Sequence, residues 1–335
     1  MDNFLRKSEK SMVIDVRTTN EFKSGHMARA INIPLFTNKE RAVVGTIYKQ
    51  KSKQAAIIKG LEIVGPKMAD FVTKVKKKSK KNEIFIHCWR GGMRSSSFAW
   101  LMETAGYKAF TLEKGYKNYR QHVLNSFNKQ LKIIVIGGMT GSGKTPILYE
   151  LKKRGYQILD LEKLASHKGS SFGKIGEKEQ PTNEQFENNL FHAINSLDLN
   201  QVCFIEDESR MIGKLNLPNG LYNQIRMAKV IKLDVLRKLR INHLVKNYSN
   251  TEITNLLEAS DRLKKRLGGL KLKQVRAFLL TNDFNSAASI LLDYYDKAYL
   301  YGLSQRPGEN IITVKTNAID PVYNTNLILD QLPES

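Results

Sequence analysis

Apolar positions in the first part of the chain fall into short runs separated by stretches of helical spacing. Residues 11–16 read as a short buried strand and residues 31–35 as a second that ends near Pro34, with a helical turn around residues 20–24 between them. Residues 59–78 have amphipathic helical spacing, and residues 83–87 form a strand that runs straight into Cys88. Residues 95–103 place Phe98, Leu101 and Met102 at helical intervals before Gly106, and residues 108–112 read as another strand. Strands that alternate with helices in this way predict an α/β domain.

Residues 116–130 are polar and aromatic without strand alternation, so a connecting helix and the domain boundary are expected there, giving domains at 1–125 and 126–335. A second α/β unit opens with a strand at 132–136, a glycine-rich turn and a helix to about Arg154. Further strands are expected at 157–161, 201–206 and 230–233, the second of these nearly all apolar and therefore interior to its sheet. From about 235 to 305 the pattern is helical: 235–248, a run opening with a capping box at Ser249 to Glu252, then 273–281 and 286–303. A last strand at 311–315 is placed to complete the second sheet. The expected fold class is α/β throughout, with a P-loop-like parallel α/β domain that carries a helical subdomain.

Composition narrows the class of partner. The hydrophobic content of 41% and charged content of 26% are those of a globular protein, but 54 Lys plus Arg against 32 Asp plus Glu leave a net charge of +22. Such an excess points to a polyanion, nucleic acid first, through counterion release. Two cysteines far apart, Cys88 and Cys203, suggest neither a disulfide framework nor a cysteine zinc site. Residues 1–10 lack the apolar core of a signal peptide and no apolar run reaches membrane-spanning length, so a cytoplasmic protein with no membrane partner is expected, surface attachment through lysines being the one membrane option that charge leaves open.

Gly138-Met139-Thr140-Gly141-Ser142-Gly143-Lys144-Thr145 matches the Walker A pattern and lies between a strand and a helix. Gly138, Gly141, Ser142 and Gly143 let successive backbone N–H groups turn toward one anion, Lys144 neutralises phosphate, and Thr145 can hold magnesium. Pro146 is compatible, because an N–H in the first helical turn has no intrahelical partner. The run from Val202 to Glu208 supplies the apolar strand ending in acids that accompanies such a loop, with Glu206, Asp207 and Glu208 all eligible. Cys203 inside that strand reads as a buried hydrophobe. Asp160 and Glu162 stand where a second substrate sits in sheets of this kind, and equally where helix caps occur.

His87-Cys88-Trp89-Arg90-Gly91-Gly92-Met93-Arg94-Ser95 puts a cysteine between a strand and a helix, where loop amides together with Arg90 and Arg94 would favour a thiolate. The interval from Cys88 to Arg94 also suits cysteine-dependent phosphatases, whose arginine clamps a phosphoryl group. Asp15-Val16-Arg17, Glu21-Phe22, Gly25-His26 and Ala30 to Pro34 resemble the opening of rhodanese domains. That resemblance implies a rhodanese-like N-terminal domain with Cys88 as nucleophile, Asp15 and Arg17 as structural residues and His26 as scaffold.

The two loops in this order, together with Asp160-Leu161-Glu162 through His167, Gly169-Ser170, Phe172-Gly173 and Glu206-Asp207-Glu208-Ser209-Arg210, resemble the tRNA 2-selenouridine synthase family. The resemblance weakens after about Asp234. It implies an enzyme that converts wobble 2-thiouridine in tRNA to 2-selenouridine through a geranylated intermediate. Geranyl diphosphate and selenophosphate would be substrates, and no tightly bound cofactor is expected beyond magnesium at Thr145. The Walker loop would grip the diphosphate. Cys88 would serve selenium entry, either carrying selenium or positioning selenophosphate with Arg90 and Arg94. Asp160, Glu206, Glu208 and Arg210 are substrate-binding candidates. For the tRNA backbone, Arg262, Lys264, Lys265 and Arg266 are preferred to the six lysines between 74 and 81, which suit a surface helix end. Tyr294, Tyr295, Tyr299 and Tyr301 could stack on bases, but their helical spacing favours core packing. The alternative is a P-loop ATPase or kinase acting on RNA, with a rhodanese module that relays sulfur.

Overall fold

Short apolar runs that bury both faces suit the interior strands of a covered parallel sheet, and the chain builds two such sheets. The computed structural model describes residues 1–332 and separates into one unit of residues 1–126 with 187–192 and another of residues 127–186 with 193 onward. The first unit comprises α1 (Asp2–Ser8), β1 (Met12–Asp15), α2 (Thr19–Ser24), β2 (Ile31–Asn32), α3 (Asn38–Gln50), α4 (Lys53–Val64), α5 (Met68–Lys78), β3 (Glu83–His87), α6 (Met93–Thr104), β4 (Lys108–Thr111) and α7 (Gly115–Ser126). Its strands pair in parallel in the order β2-β1-β3-β4. Ile14, Ile84 and Ile86 pack on Phe71, Val75, Phe98 and Met102. Cys88 therefore leaves the sheet from an interior strand.

Three local expectations change. The helix expected over 59–78 is two helices joined by a 3₁₀ turn at Gly65–Lys67, because Pro66 has no N–H to continue an α-helix. The second strand is paired only at Ile31–Asn32. In the other unit Ser249 does not open a capping box; it ends the preceding helix in αR geometry, its N–H bonded to Val245 O, and the next helix starts at Ile253 without a side-chain cap.

The second unit contains β5 (Lys132–Gly138), α8 (Lys144–Lys153), β6 (Gln157–Leu159), α9 (Leu161–Ala165), α10 (Asn183–Asn195, shared with the first unit), β7 (Val202–Glu206), β8 (Met211–Ile212), β9 (Leu215–Asn216), α11 (Asn219–Met227) and β10 (Lys229–Val235). Then follow α12 (Arg237–Tyr248), α13 (Ile253–Asp261), α14 (Lys264–Leu267), α15 (Gly269–Leu280), α16 (Phe284–Ser304), β11 (Ile311–Thr316) and α17 (Pro321–Leu329). The parallel sheet runs β11-β10-β5-β7-β6, so β5 is central, β7 is interior and β11 returns to the edge beside β10. The small β8–β9 hairpin has no counterpart in the periodicity. Helices α12 to α16 form a separate core around Leu256, Ala259, Leu263, Val275, Leu279 and Leu291. Among the described residues no helix is long and apolar enough to cross a membrane.

Candidate functional site

The cysteine loop is shaped by backbone packing. Gly91 and Gly115 both have positive φ, +64° and +59°, and a Cβ on Gly115 would collide with Cys88 O and Gly91 N. Only glycine permits that approach. The first turn of α7 then takes the loop's carbonyls: Tyr116 N–H donates to Cys88 O at 2.8 Å and Lys117 N–H to Trp89 O at 2.9 Å. Cys88 Sγ lies 3.2 Å from Ser95 Oγ. Burial opposes ionisation of this thiol, but hydrogen bonds from the Ser95 hydroxyl and from the amides of Ser95, Arg90 and Gly92 outweigh it and hold the thiol below its ordinary value.

The expected arginines act differently. Arg90 contributes its amide while its side chain is exposed. Arg94 is turned to Glu21, with Nη1 3.0 Å from Oε2 and Nη2 3.3 Å from Oε1, so a competing carboxylate already holds its fork. Asp15 and Arg17 are structural: Arg17 is 1% exposed, pairs with both Asp15 oxygens, donates to Gly25 O and lies 3.6 Å from the Tyr116 ring centroid. His26 is scaffold as well, its Nδ1 against Phe22 O at 3.0 Å and its ring stacked on Phe22.

In the second unit, the glycine-rich turn bends where the sequence requires it. Gly138, Gly141 and Gly143 have φ of +150°, +86° and +81°, and a Cβ on Gly138 would lie 2.5 Å from Ser142 Oγ. Lys144 Nζ donates to Gly138 O at 3.0 Å, and Pro146 occupies the first turn of α8. Thr145 Oγ1 donates to Glu162 Oε2 at 3.5 Å. At the end of β7 successive side chains alternate: Asp207 turns away into a buried pair with Arg306, while Glu206 and Glu208 join Glu162, with oxygens of the three within 4.8 Å of one another. Burial and then the Glu206 charge push Glu162 up to about 8 against the pull of Lys144; Glu208 is raised well above the usual carboxylate range, chiefly by burial. Cys203 is buried inside β7 and its thiol is raised to about 12, also by burial.

These donors fit a hard divalent cation. They are all oxygens, they crowd beside the Thr145 hydroxyl, and Glu206 Oε1 is buried without a hydrogen-bond partner. Asp160 stands apart as the cap of α9, accepting from Lys163 N–H and, at 2.6 Å, from Tyr149 Oη. Arg210 is exposed and bonded to Asn219.

An apolar cavity of about 80 Å³ opens beside the glycine-rich loop of residues 138–145. Thr140 and Ser170 give it a polar edge, and Leu244, Val245 and Tyr248 of α12 form one wall. Phe284, Ala287, Ala288, Leu291, Leu292 and Tyr295 of α16 form another. No local motif signals this cavity, because its walls come from helices more than a hundred residues beyond the glycines. The same distance hides Arg240, which pairs with Asp296 at 2.8 Å and donates to Thr140 O at 3.2 Å.

Of the tRNA candidates, Arg262 donates to Ser171 O and Arg266 to Tyr294 Oη, while Lys264 and Lys265 are exposed and form no ion pair among the described residues. The lysine run at 74–81 closes α5 and continues past it as a surface helix end. Tyr295 lines the cavity and Tyr299 touches the anion loop, but Tyr301 is 71% exposed and does not pack in the core as its spacing suggested.

Two family models match the chain: a rhodanese-like domain over residues 2–122 and a tRNA 2-selenouridine synthase AAA domain over residues 131–327. Curated relatives called tRNA 2-selenouridine synthase include one from Shewanella frigidimarina, 32% identical over 93% of this chain and 93% of the relative. One from Shewanella oneidensis is 32% identical over 88% and 86%, and one from Nitrosomonas eutropha is 30% identical over 88% and 89%.

Proposed function

The chain belongs to the tRNA 2-selenouridine synthase family, and from that premise we propose that it exchanges sulfur for selenium at wobble 2-thiouridine of tRNA by way of a geranylated intermediate. The enzyme modifies tRNA with selenium, and the excess of positive charge suits that polyanion. The observation that carries the geranyl step is the apolar cavity meeting the anion loop at Thr140. A ligand held there would join a charged head to a hydrocarbon tail, which a diphosphate ester of a terpene alcohol provides.

In the first half-reaction the thiocarbonyl sulfur attacks C1 of geranyl diphosphate; the C–S bond forms, the C–O bond breaks, diphosphate leaves with the electron pair, and the base loses its N3 proton to solvent. Lys144 and the amides from Gly141 to Thr145 face the charge that develops on the leaving oxygens. Thr145 with Glu162, Glu206 and Glu208 would hold a magnesium ion, which supplies further neutralisation of diphosphate. In the second half-reaction the selenium of selenophosphate adds at C2, geranylthiol leaves, and hydrolysis of the P–Se bond releases phosphate. We assign this step to the Cys88 loop, whose amides and exposed Arg90 can gather a small anion; Arg94, occupied by Glu21, orders the loop instead.

Mass spectrometry of wobble nucleosides after incubation with thiolated tRNA, geranyl diphosphate and selenophosphate tests the reading. Lys144→Ala is expected to stop geranylation, and Cys88→Ala to let geranylated tRNA accumulate. Rapid ATP hydrolysis without alkylation would favour an RNA-directed ATPase or kinase with a sulfur-relay module.

A further inference from the structure

The cavity wall on α16 is also a scale along the cavity's depth. Phe284, Ala287, Ala288, Leu291, Leu292 and Tyr295 follow one another at i, i+3, i+4, i+7, i+8 and i+11, which places them on one face of the helix. Four residues beyond Tyr295 the same face reaches Tyr299, whose hydroxyl meets the anion loop at Gly138. The Tyr295 end is therefore the end beside the anion loop, and the Phe284 end is the remote one. At about 1.5 Å per residue, Ala288 lies about 10 Å and Phe284 about 16 Å along the axis from Tyr295.

Two alanines interrupt a face otherwise made of leucines and aromatics. Their side chains are the shortest on that face, and they stand near the depth at which an extended ten-carbon prenyl chain ends, about 10 Å from its head at ordinary carbon–carbon bond lengths. One turn deeper, Phe284 lines the cavity and packs against the buried cluster that holds Leu256 and Leu279, each 3% exposed. A fifteen-carbon chain, about 5 Å longer, would need the volume of the Phe284 ring. A five-carbon chain would leave the alanine level unfilled and forfeit the burial of the missing carbons.

We propose that Ala288, with Ala287, sets the tail length accepted beside the anion loop and that Phe284 is its stop, making the site selective for ten-carbon allylic diphosphates. The inference rests on the reading of the anion loop as a diphosphate cradle. The transfer it governs forms the bond from sulfur to the allylic carbon, breaks the carbon–oxygen bond and releases diphosphate, whatever the tail.

Competition among dimethylallyl, geranyl and farnesyl diphosphates at equal concentration, with the full chain and 2-thiouridine tRNA, measures the selectivity directly from the alkylated nucleosides. The wild type is expected to yield mainly the ten-carbon product. Ala288→Phe should move the ratio of five- to ten-carbon product at least tenfold toward the shorter tail, and Phe284→Ala the ratio of fifteen- to ten-carbon product at least tenfold toward the longer. Circular dichroism checks folding, and Ala288→Val reads the same ratio if the phenylalanine overpacks the helix. Folded variants that keep the wild-type ratios would overturn the length scale while the diphosphate reading stands. A wild type that transfers no prenyl group of any length would overturn both.

Discussion

Tyr299 Oη accepts the backbone N–H of Gly138 at 2.8 Å, joining a helix near the end of the chain to the first glycine of the anion loop. The approach is close enough that a Cβ on Gly137 would lie 2.8 Å from the same oxygen. Three residues earlier on α16, Asp296 holds Arg240, and Arg240 in turn donates to Thr140 O. One helix thus supports the loop at two points and also walls the apolar cavity.

Tyr299→Phe removes the acceptor and leaves a buried N–H unpaired, a loss of about 1–3 kcal/mol. On the proposed prenyl transfer, the expected result is a rise of about tenfold in KM for the allylic diphosphate, with an unchanged far-ultraviolet circular dichroism spectrum. Steady-state alkylation kinetics check it, and an unaltered KM would show that the loop keeps its geometry without the tyrosine.

Ser95→Ala takes away the hydroxyl that bonds Cys88 Sγ. Burial, already acting against the thiolate, is then opposed by amides alone, so the thiol titrates at higher pH. Alkylation of Cys88 by iodoacetamide is expected to slow several-fold at neutral pH and to recover as the solution is made alkaline. A rate profile that coincides with the wild type would contradict the role given to Ser95.

Gly115→Ala introduces a Cβ against Cys88 O and Gly91 N at a residue whose φ is +59°. The strain of the left-handed conformation is about 1–2 kcal/mol, and the collision with backbone adds to it. A thermal midpoint lower by several degrees and slower alkylation of Cys88 by iodoacetamide at neutral pH should appear together.

His87 is fully buried beside Cys88, and burial, against the attraction of Asp15, lowers it from 6.5 to about 4. The unfolded chain binds a proton below about 6.5 that the folded chain refuses until about 4, so folding stability is full above pH 6.5 and declines as pH falls through that window. The loss is about 2 kcal/mol at pH 5. His87→Gln should flatten this part of the stability curve; denaturation at pH 7 and pH 5 of both proteins measures the difference, and parallel curves would sink the assignment.

Much of this molecule is local and was therefore legible. Strands such as Glu83–His87 are short apolar runs, and the turn from Gly138 to Thr145 needs glycines at positive φ within a few residues. The alternation at the end of β7 was beyond that reach. Glu206 and Glu208 were candidates alongside Asp207, and only the packing of Arg306, a hundred residues on, takes Asp207 out of the cluster. Arg94 likewise carried the expected spacing from Cys88, but Glu21, seventy-three residues before it, claims its guanidinium.

The sequence by itself determined the two loops, the alternating α/β pattern around them and the family, because each rests on residue identities close together in the chain. The tertiary structure alone decided what surrounds those loops: the cavity of α12 to α16, the support from Tyr299 and Arg240, and which carboxylates meet at Thr145. Packing of helices against a distant turn depends on surfaces that form only when the chain is folded, so no spacing in the sequence records it.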